Sequence, residues 1–213
     1  MPVFEIAKHS VDYPEALASM DAYVRGIQDA QYDEKVWLLE HPPVYTAGTS
    51  SKASNHIGLY NIPIYNTGRG GQHTYHGPGQ RVAYVMIDLK KRSKDVRAYV
   101  RALEQLGIDV LKTLGVQASR SEEGVGLWVT QGASLSKIAA IGVRISRWVT
   151  SHGMSFNVNP DLDHYQGIIP CGIRSHGVTS LHALGVKITL EEFDDIFVQH
   201  FLKNPYLMGD QDV

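Results

Sequence analysis

The sequence predicts an α/β protein of the α+β type, a mixed sheet with helices packed on one side. Three observations lead there: three segments carry apolar residues at helical spacing, six short runs are β-branched or aromatic and end at turn residues, and several of those runs follow one another with no helix between. The last point excludes a regular βαβ repeat. With 213 residues and 43% of them apolar, the chain can fill one substantial core, and a single domain over 1–213 is expected.

Taken in order, Asp12, Pro14 and Glu15 make a helix start, and Leu17, Met20, Val24 and Ile27 recur behind them on one face. Strands are expected at Val36 to Leu39, Ile62 to Tyr65 and Val82 to Ile87. The Gly- and Pro-rich stretches 41–58 and 66–80 between them read as long ordered loops, which in a compact protein often carry function. Ser93 is the expected cap of a second helix through Val96, Val100, Leu103, Leu106, Val110 and Leu114, and Gly115 is its stop. Further strands are expected at Gly126 to Val129, Ile138 to Ile145 and Trp148 to Val149. Thr189 and Glu192 then form a capping box ahead of Phe193, Ile196, Phe197 and Phe201, the stripe of a third helix.

A net charge of -2 with both signs interspersed gives no basic field, so nucleic acid is not an expected partner. No run approaches the roughly 18 apolar residues of a membrane span, and the stretch Met1 to His9 lacks the apolar run of a secretory signal, so neither a span nor a leader is expected. A single cysteine, Cys171, excludes an internal disulfide and a multi-cysteine zinc site, which fits a reducing, cytoplasmic setting. His76 and His152 lie in no metal-ligand spacing, so no metal is expected and both read as structural hydrogen-bonding groups.

Three segments carry possible chemistry. In Ile168-Ile169-Pro170-Cys171-Gly172-Ile173, proline fixes the backbone and glycine opens an approach to the thiol. Taken alone, Cys171 reads first as a small core residue. A thiol nucleophile needs a base or a positive neighbour, and Lys137, opening the apolar run Lys137 to Val143, would supply one if desolvation lowered its pKa; taken alone it reads as a solvated strand-end lysine. The loop Arg69 to Gln80 (RGGQHTYHGPGQ) is too glycine-rich for a packing element and suits backbone approach to a ligand beside the Arg69 fork. It matches neither the phosphate loop nor the dinucleotide fingerprint, and no cofactor is expected.

Together, Arg69 to Gln80, KIAAIGV (Lys137 to Val143), HGMSFNV (His152 to Val158) and IPCGI (Ile169 to Ile173) followed by Val178-Thr179-Ser180-Leu181 resemble the lipoyl(octanoyl) transferase family, in one order from about Leu39 to Leu181. The resemblance implies an α/β fold shared with the catalytic domains of lipoate- and biotin-protein ligases. It implies octanoyl transfer from octanoyl-acyl carrier protein to a lysine of lipoyl domains, those of 2-oxoacid dehydrogenase E2 subunits and the glycine cleavage H protein. By motif match, Cys171 would attack the thioester and carry the acyl group, with Lys137 lowering the thiol pKa and serving as base or acid. The same match assigns substrate binding to Arg69, Gly70, Gly71, Gln72, His73, Thr74, Tyr75 and His76, to Ala140, Ile141 and Gly142, and to Gly153, Met154 and Ser155. The sequence departs from the family pattern at His73, where a small aliphatic residue is usual, and at Met154-Ser155-Phe156. The same-fold alternative, an ATP-dependent ligase working through an acyl-adenylate, needs no cysteine nucleophile.

Overall fold

The computed structural model describes residues 1–132, 134–168 and 177–209. Its elements in chain order are β1 (Val3–Ile6), α1 (Tyr13–Gln28), β2 (Lys35–Leu39), β3 (Val44–Ala47), β4 (Ile64–Asn66), β5 (His73–His76), β6 (Gln80–Met86), α2 (Val96–Thr113), β7 (Gly126–Gln131), β8 (Ser134–Ser146), β9 (Val149–Asn157), β10 (Gly177–Val178), α3 (Leu190–Leu202) and α4 (Pro205–Met208). The main sheet runs β1-β2-β6-β9-β8-β10 with β7 also on β8, and β4-β3-β5 form a second, three-stranded sheet. Pairing is mixed: β1 on β2 and β10 on β8 are parallel, the other pairs of the main sheet antiparallel.

Helices cover both faces of the main sheet, not the one expected. Alternation along the strands shows why. Val36 and Leu38 of β2, with Ala83 and Val85 of β6, pack in one core with Leu103, Leu106 and Val110 of α2 and Phe193, Phe197 and Phe201 of α3. Trp37 and Leu39, with Val82, Tyr84 and Met86, face the other way onto Ala16, Met20, Val24 and Ile27 of α1. A strand apolar on both faces requires cover on both.

Local chemistry sets the helix ends. Asp95, not Ser93, caps α2: its carboxylate accepts the backbone N–H groups of Arg97 and Ala98 at 2.8 and 3.1 Å. Such a cap contributes about 1 kcal/mol. Gly115, at φ 77°, ends the same helix as expected. The capping box at Thr189 and Glu192 forms in both directions, and Phe193, Phe197 and Phe201 are fully buried.

The strands depart more. Both stretches read as loops contain one, β3 in 41–58 and β5 in 66–80, and these pair antiparallel with each other from Val44↔His76 to Ala47↔His73. Trp148 is not a strand residue; with Arg147 it takes the left-handed backbone of a tight turn (φ 68° and 48°), and β9 continues from Val149 through the HGMSFNV motif to Asn157. Among the described residues no helix is long and apolar enough to cross a membrane.

Candidate active site

A cavity of about 380 Å3 opens on the α1 face of the main sheet and is bounded on another side by residues of β5 and the loop before it. Its floor is a row of small residues on adjacent strands. Ala140 and Gly142 of β8 pair with Ser155 and Gly153 of β9, which pair with Val82 and Tyr84 of β6; all six line the cavity. Gly153 has no alternative, because a Cβ there would sit 2.2 Å from the Ala83 carbonyl oxygen. At Gly142 a Cβ would approach the Gly70 oxygen to 3.0 Å and the Arg69 side chain to 3.1 Å, so glycine lets the loop close down on the floor.

Lys137 reaches this face through a β-bulge. The register of β7 on β8 shifts between Leu127↔Ala139 and Trp128↔Lys137, so Ile138 is an extra residue. Unbroken alternation would set Lys137 with Ala139 on the α2 core; the extra residue moves it to the face of Ala140 and Gly142, where it lines the cavity. Its side chain is buried, donates from Nζ to the Val125 carbonyl at 3.1 Å and lies 4.5 Å from the centre of the Trp128 ring. On the other edge of β8, Val178 of β10 stands beside Lys137 and also lines the cavity, and Thr179 N–H donates to the Lys137 carbonyl at 3.0 Å. The stretch 169–176, with Cys171, lies outside the described residues.

Of the other residues singled out, Arg69, Gly71, Gln72, His73, Thr74, His76, Ala140, Ile141, Gly142, Gly153, Met154 and Ser155 line the cavity, while Gly70 and Tyr75 do not. Gly70 fastens the loop instead, donating its N–H to the Val143 carbonyl at 2.9 Å. Tyr75 is fully buried with Tyr45, Tyr165 and Ile168 in a third apolar cluster. Met154 borders the cavity, but its Cε lies 3.0 Å from where a Cβ on Gly107 of α2 would be, so its side chain belongs to the opposite core. Phe156 likewise packs on Phe193, ring centres 5.0 Å apart. Of that unusual triplet, therefore, Ser155 alone turns its side chain to the cavity face. Buried Arg69 donates to Thr46 through its carbonyl (2.8 Å) and hydroxyl (2.7 Å) and to the Gly70 carbonyl (2.9 Å), tying loop to β3. His73 lies over His56 with rings 16° from parallel, and His73 Nδ1 and His56 Nε2 are both buried without a hydrogen-bond partner among the described residues.

The site also holds residues that were not expected to bind. Tyr13, Tyr84, His152 and Asn157 line the cavity. Only strand alternation could have pointed to Tyr84 and Asn157, and then only with the long-range pairing known. Behind Tyr84 stands His41, whose Nδ1 contacts the Val11 carbonyl at 2.6 Å and Nε2 the Tyr84 hydroxyl at 2.7 Å. A carbonyl only accepts, so Nδ1 carries the proton and Nε2 accepts from tyrosine. Burial makes these histidines poor bases: it pushes His76 and His152 down to about 3 and His41 to about 4, and burial lifts Tyr13 to about 12. Among the described residues no group of three or more His, Cys, Asp or Glu could hold a metal ion.

The neutral histidines have a consequence for stability. Their folded pKa values lie below the unfolded value of 6.5, so the folded state takes up fewer protons as pH falls, and the stability present above pH 6.5 is lost progressively toward pH 3. Urea midpoints measured from pH 8 to pH 4 are expected to begin falling near pH 6.5, above the range in which ordinary carboxylates titrate. A midpoint constant from pH 7 to pH 5 would contradict this.

The residues 12–202 match the lipoyl protein ligase A/B catalytic domain, and the chain belongs to that family. Within it the chain is an acyltransferase: the curated relatives include octanoyltransferases of Rhodospirillum rubrum, 51% identical over 93% of this chain and 92% of that one, and of Brucella melitensis biotype 1, 52% identical over 89% of this chain and 75% of that one. The fold is shared with solved structures. A bi-partite lipoate protein ligase from Thermoplasma acidophilum, described with its E2 lipoyl domain, has a TM-score of 0.70 at 15% identity, covering 96% of this chain and 84% of that one. A lipoate-protein ligase A bound with ATP gives 0.70 at 16%, covering 96% and 85%.

Proposed function

We propose that this octanoyl-transferring acyltransferase of the lipoylation system works through a thioester on Cys171. Octanoyl-acyl carrier protein is the donor, and the acceptor is the lysine of a lipoyl domain, as in 2-oxoacid dehydrogenase E2 subunits or the glycine cleavage H protein. The catalytic unit spans the chain and works in the cytoplasm, where the thiol stays reduced. Cys171 attacks the donor carbonyl, the carrier thiol leaves, and the acceptor amine then displaces Cys171 to give an amide. Exchange between thioesters is near neutral in energy and aminolysis of a thioester is downhill, so the sequence of steps needs no nucleotide. Lys137, acting as the free amine, takes the proton of the Cys171 thiol to give an ammonium–thiolate pair, and the ammonium then returns that proton to the departing carrier thiolate.

The observation that carries this reading is the bulge on β8, which puts a buried lysine at the edge of a cavity with an otherwise small-residue floor, beside the strand where the chain resumes after 169–176. Bulges of this kind re-aim side chains next to active sites. The test is intact mass after mixing the protein with octanoyl-acyl carrier protein and no ATP. A hydroxylamine-sensitive octanoyl adduct is expected on the wild type and not on Cys171→Ala. An adduct that persists on Cys171→Ala, or transfer that depends on ATP, would contradict the thioester route and favour adenylate chemistry.

A further inference from the structure

We propose that His152 sets the length of the acyl chain by forming a polar end wall to the cavity; this deepens the octanoyl-transfer reading and rests on it. Its position fits the role. His152 pairs with Val143, one step beyond the Gly142↔Gly153 pair that ends the row of small residues. Lys137 stands at the other end of that row, six residues back along β8, one of them the bulged Ile138, or about 17 Å at roughly 3.3 Å per ladder step. An extended eight-carbon acyl chain, roughly 9 Å from carbonyl carbon to terminal methyl at about 1.25 Å of advance per zigzag bond, fits between them with room for the side chains at both ends.

Its orientation is specially made. Gly153, Ser155 and Asn157 line the cavity, and alternation would turn His152, like Met154, into the opposite core. His152 instead takes a left-handed backbone, φ 58°, in the middle of β9, and it lines the cavity with its ring at 88° to that of Tyr84, centres 5.9 Å apart. A non-glycine residue in that conformation persists only where the surroundings hold it, and such strain concentrates at functional sites. Here α1 provides the hold, since the His152 N–H points to Met20 Sδ at 3.1 Å. A strand that folded for packing alone would carry glycine or keep its alternation.

The wall is polar as well as bulky. His152 and His76 are buried imidazoles, and the Tyr84 hydroxyl is engaged by His41. A terminal methyl that stops short of these groups leaves His76 on Gln80 and Tyr84 on His41, whereas a longer chain must press methylenes against imidazole nitrogen or displace the His152 ring. Bulk and polarity therefore discriminate in the same direction, against chains longer than the floor.

The experiment uses wild type, His152→Gly and His152→Leu, with octanoate, decanoate and dodecanoate as ligands and the corresponding acyl-carrier proteins as donors. Glycine adopts the left-handed backbone without strain, so this variant is expected to fold. The ratio of dodecanoate to octanoate affinity, and the same ratio in kcat/KM, should rise about ten-fold in His152→Gly, the low end of what even one of the four added methylenes commands in an apolar pocket. His152→Leu, which keeps bulk and loses polarity, should fall between. Ratios unchanged within two-fold in His152→Gly, or a wild type that already takes dodecanoyl as well as octanoyl, would overturn the end wall. A shifted binding ratio in a protein that transfers no acyl group would leave the wall standing and overturn the transfer reading.

Discussion

Lys137→Met is expected to lower the rate of the proposed Cys171 acylation by roughly 10²–10⁴-fold, the usual contribution of a positioned acid or base, with little loss of stability. Methionine keeps an unbranched stem of similar length against Trp128, so the buried space beside β7 stays filled. What it removes is the ammonium group, whose hydrogen bond to the Val125 carbonyl points it along the cavity rim where Gly124 and Val125 also stand. Two measurements separate this from a packing effect. Single-turnover acylation by octanoyl-acyl carrier protein reports the chemical step, and the pH dependence of Cys171 alkylation by a small electrophile reports the thiol itself. The variant is expected to shift the alkylation profile to higher pH, because a thiol without its positive neighbour ionises later. An unshifted profile with a normal acylation rate would remove Lys137 from the proposed dyad. Gly126 offers an independent check on position, since a Cβ there would lie 3.4 Å from Lys137 Nζ and 2.6 Å from the Ala139 oxygen.

Glu34→Ala costs about 3–5 kcal/mol of stability, the penalty for leaving a buried charge without its partner. Glu34 and Arg92 form a bidentate pair at 2.6 and 2.9 Å, with side chains 8% and 2% exposed. The same carboxylate accepts the Asp88 N–H at 2.8 Å, and the guanidinium also binds the carbonyls of Tyr206 (2.8 Å) and Leu207 in α4. One pair therefore ties the start of β2 and the end of β6 to the last described helix. Asp29→Ala is the control: its partner Arg147 is just as close, at 2.9 Å, but both side chains are more than half exposed, and the change is expected to stay below about 1 kcal/mol. Equal losses in urea unfolding would mean that burial does not set the value of these pairs.

Helices were the most legible part of the sequence because a helix writes its packing into neighbours three and four residues away. The stripe of α1, the capping box of α3 and the glycine stop of α2 are all local signals. Ser93 misled because a serine and an aspartate two residues apart both suit the cap, and only the backbone path decides between them. Strands β3 and β5 hid in glycine- and proline-rich sequence, since what makes them strands is pairing with each other across some 30 residues. The side of the sheet on which α1 packs was illegible for the same reason. At the site, the residues named for binding cover most of the cavity wall but not Tyr84, nor Asn157 near the end of its motif, and Met154 borders the cavity with its side chain turned to the opposite core. His152 stood inside a recognised motif, yet its unusual backbone leaves no mark in the residue type.

The extra residue at Ile138 has a consequence for how this protein can change over time. It breaks β8 into two stretches whose inside and outside are out of phase, so substitutions that repack Ala139, Ile141 and Val143 against α2 carry no instruction about where the ammonium group points. Deletion of that one residue would restore regular alternation and still leave Lys137 on the cavity face, because the lysine would then directly precede Ala139 as Ala140 directly follows it. What such a deletion takes away is a buried isoleucine of the α2 core, so its cost falls on packing and not on the direction of the lysine, and drift in that core can proceed on its own account.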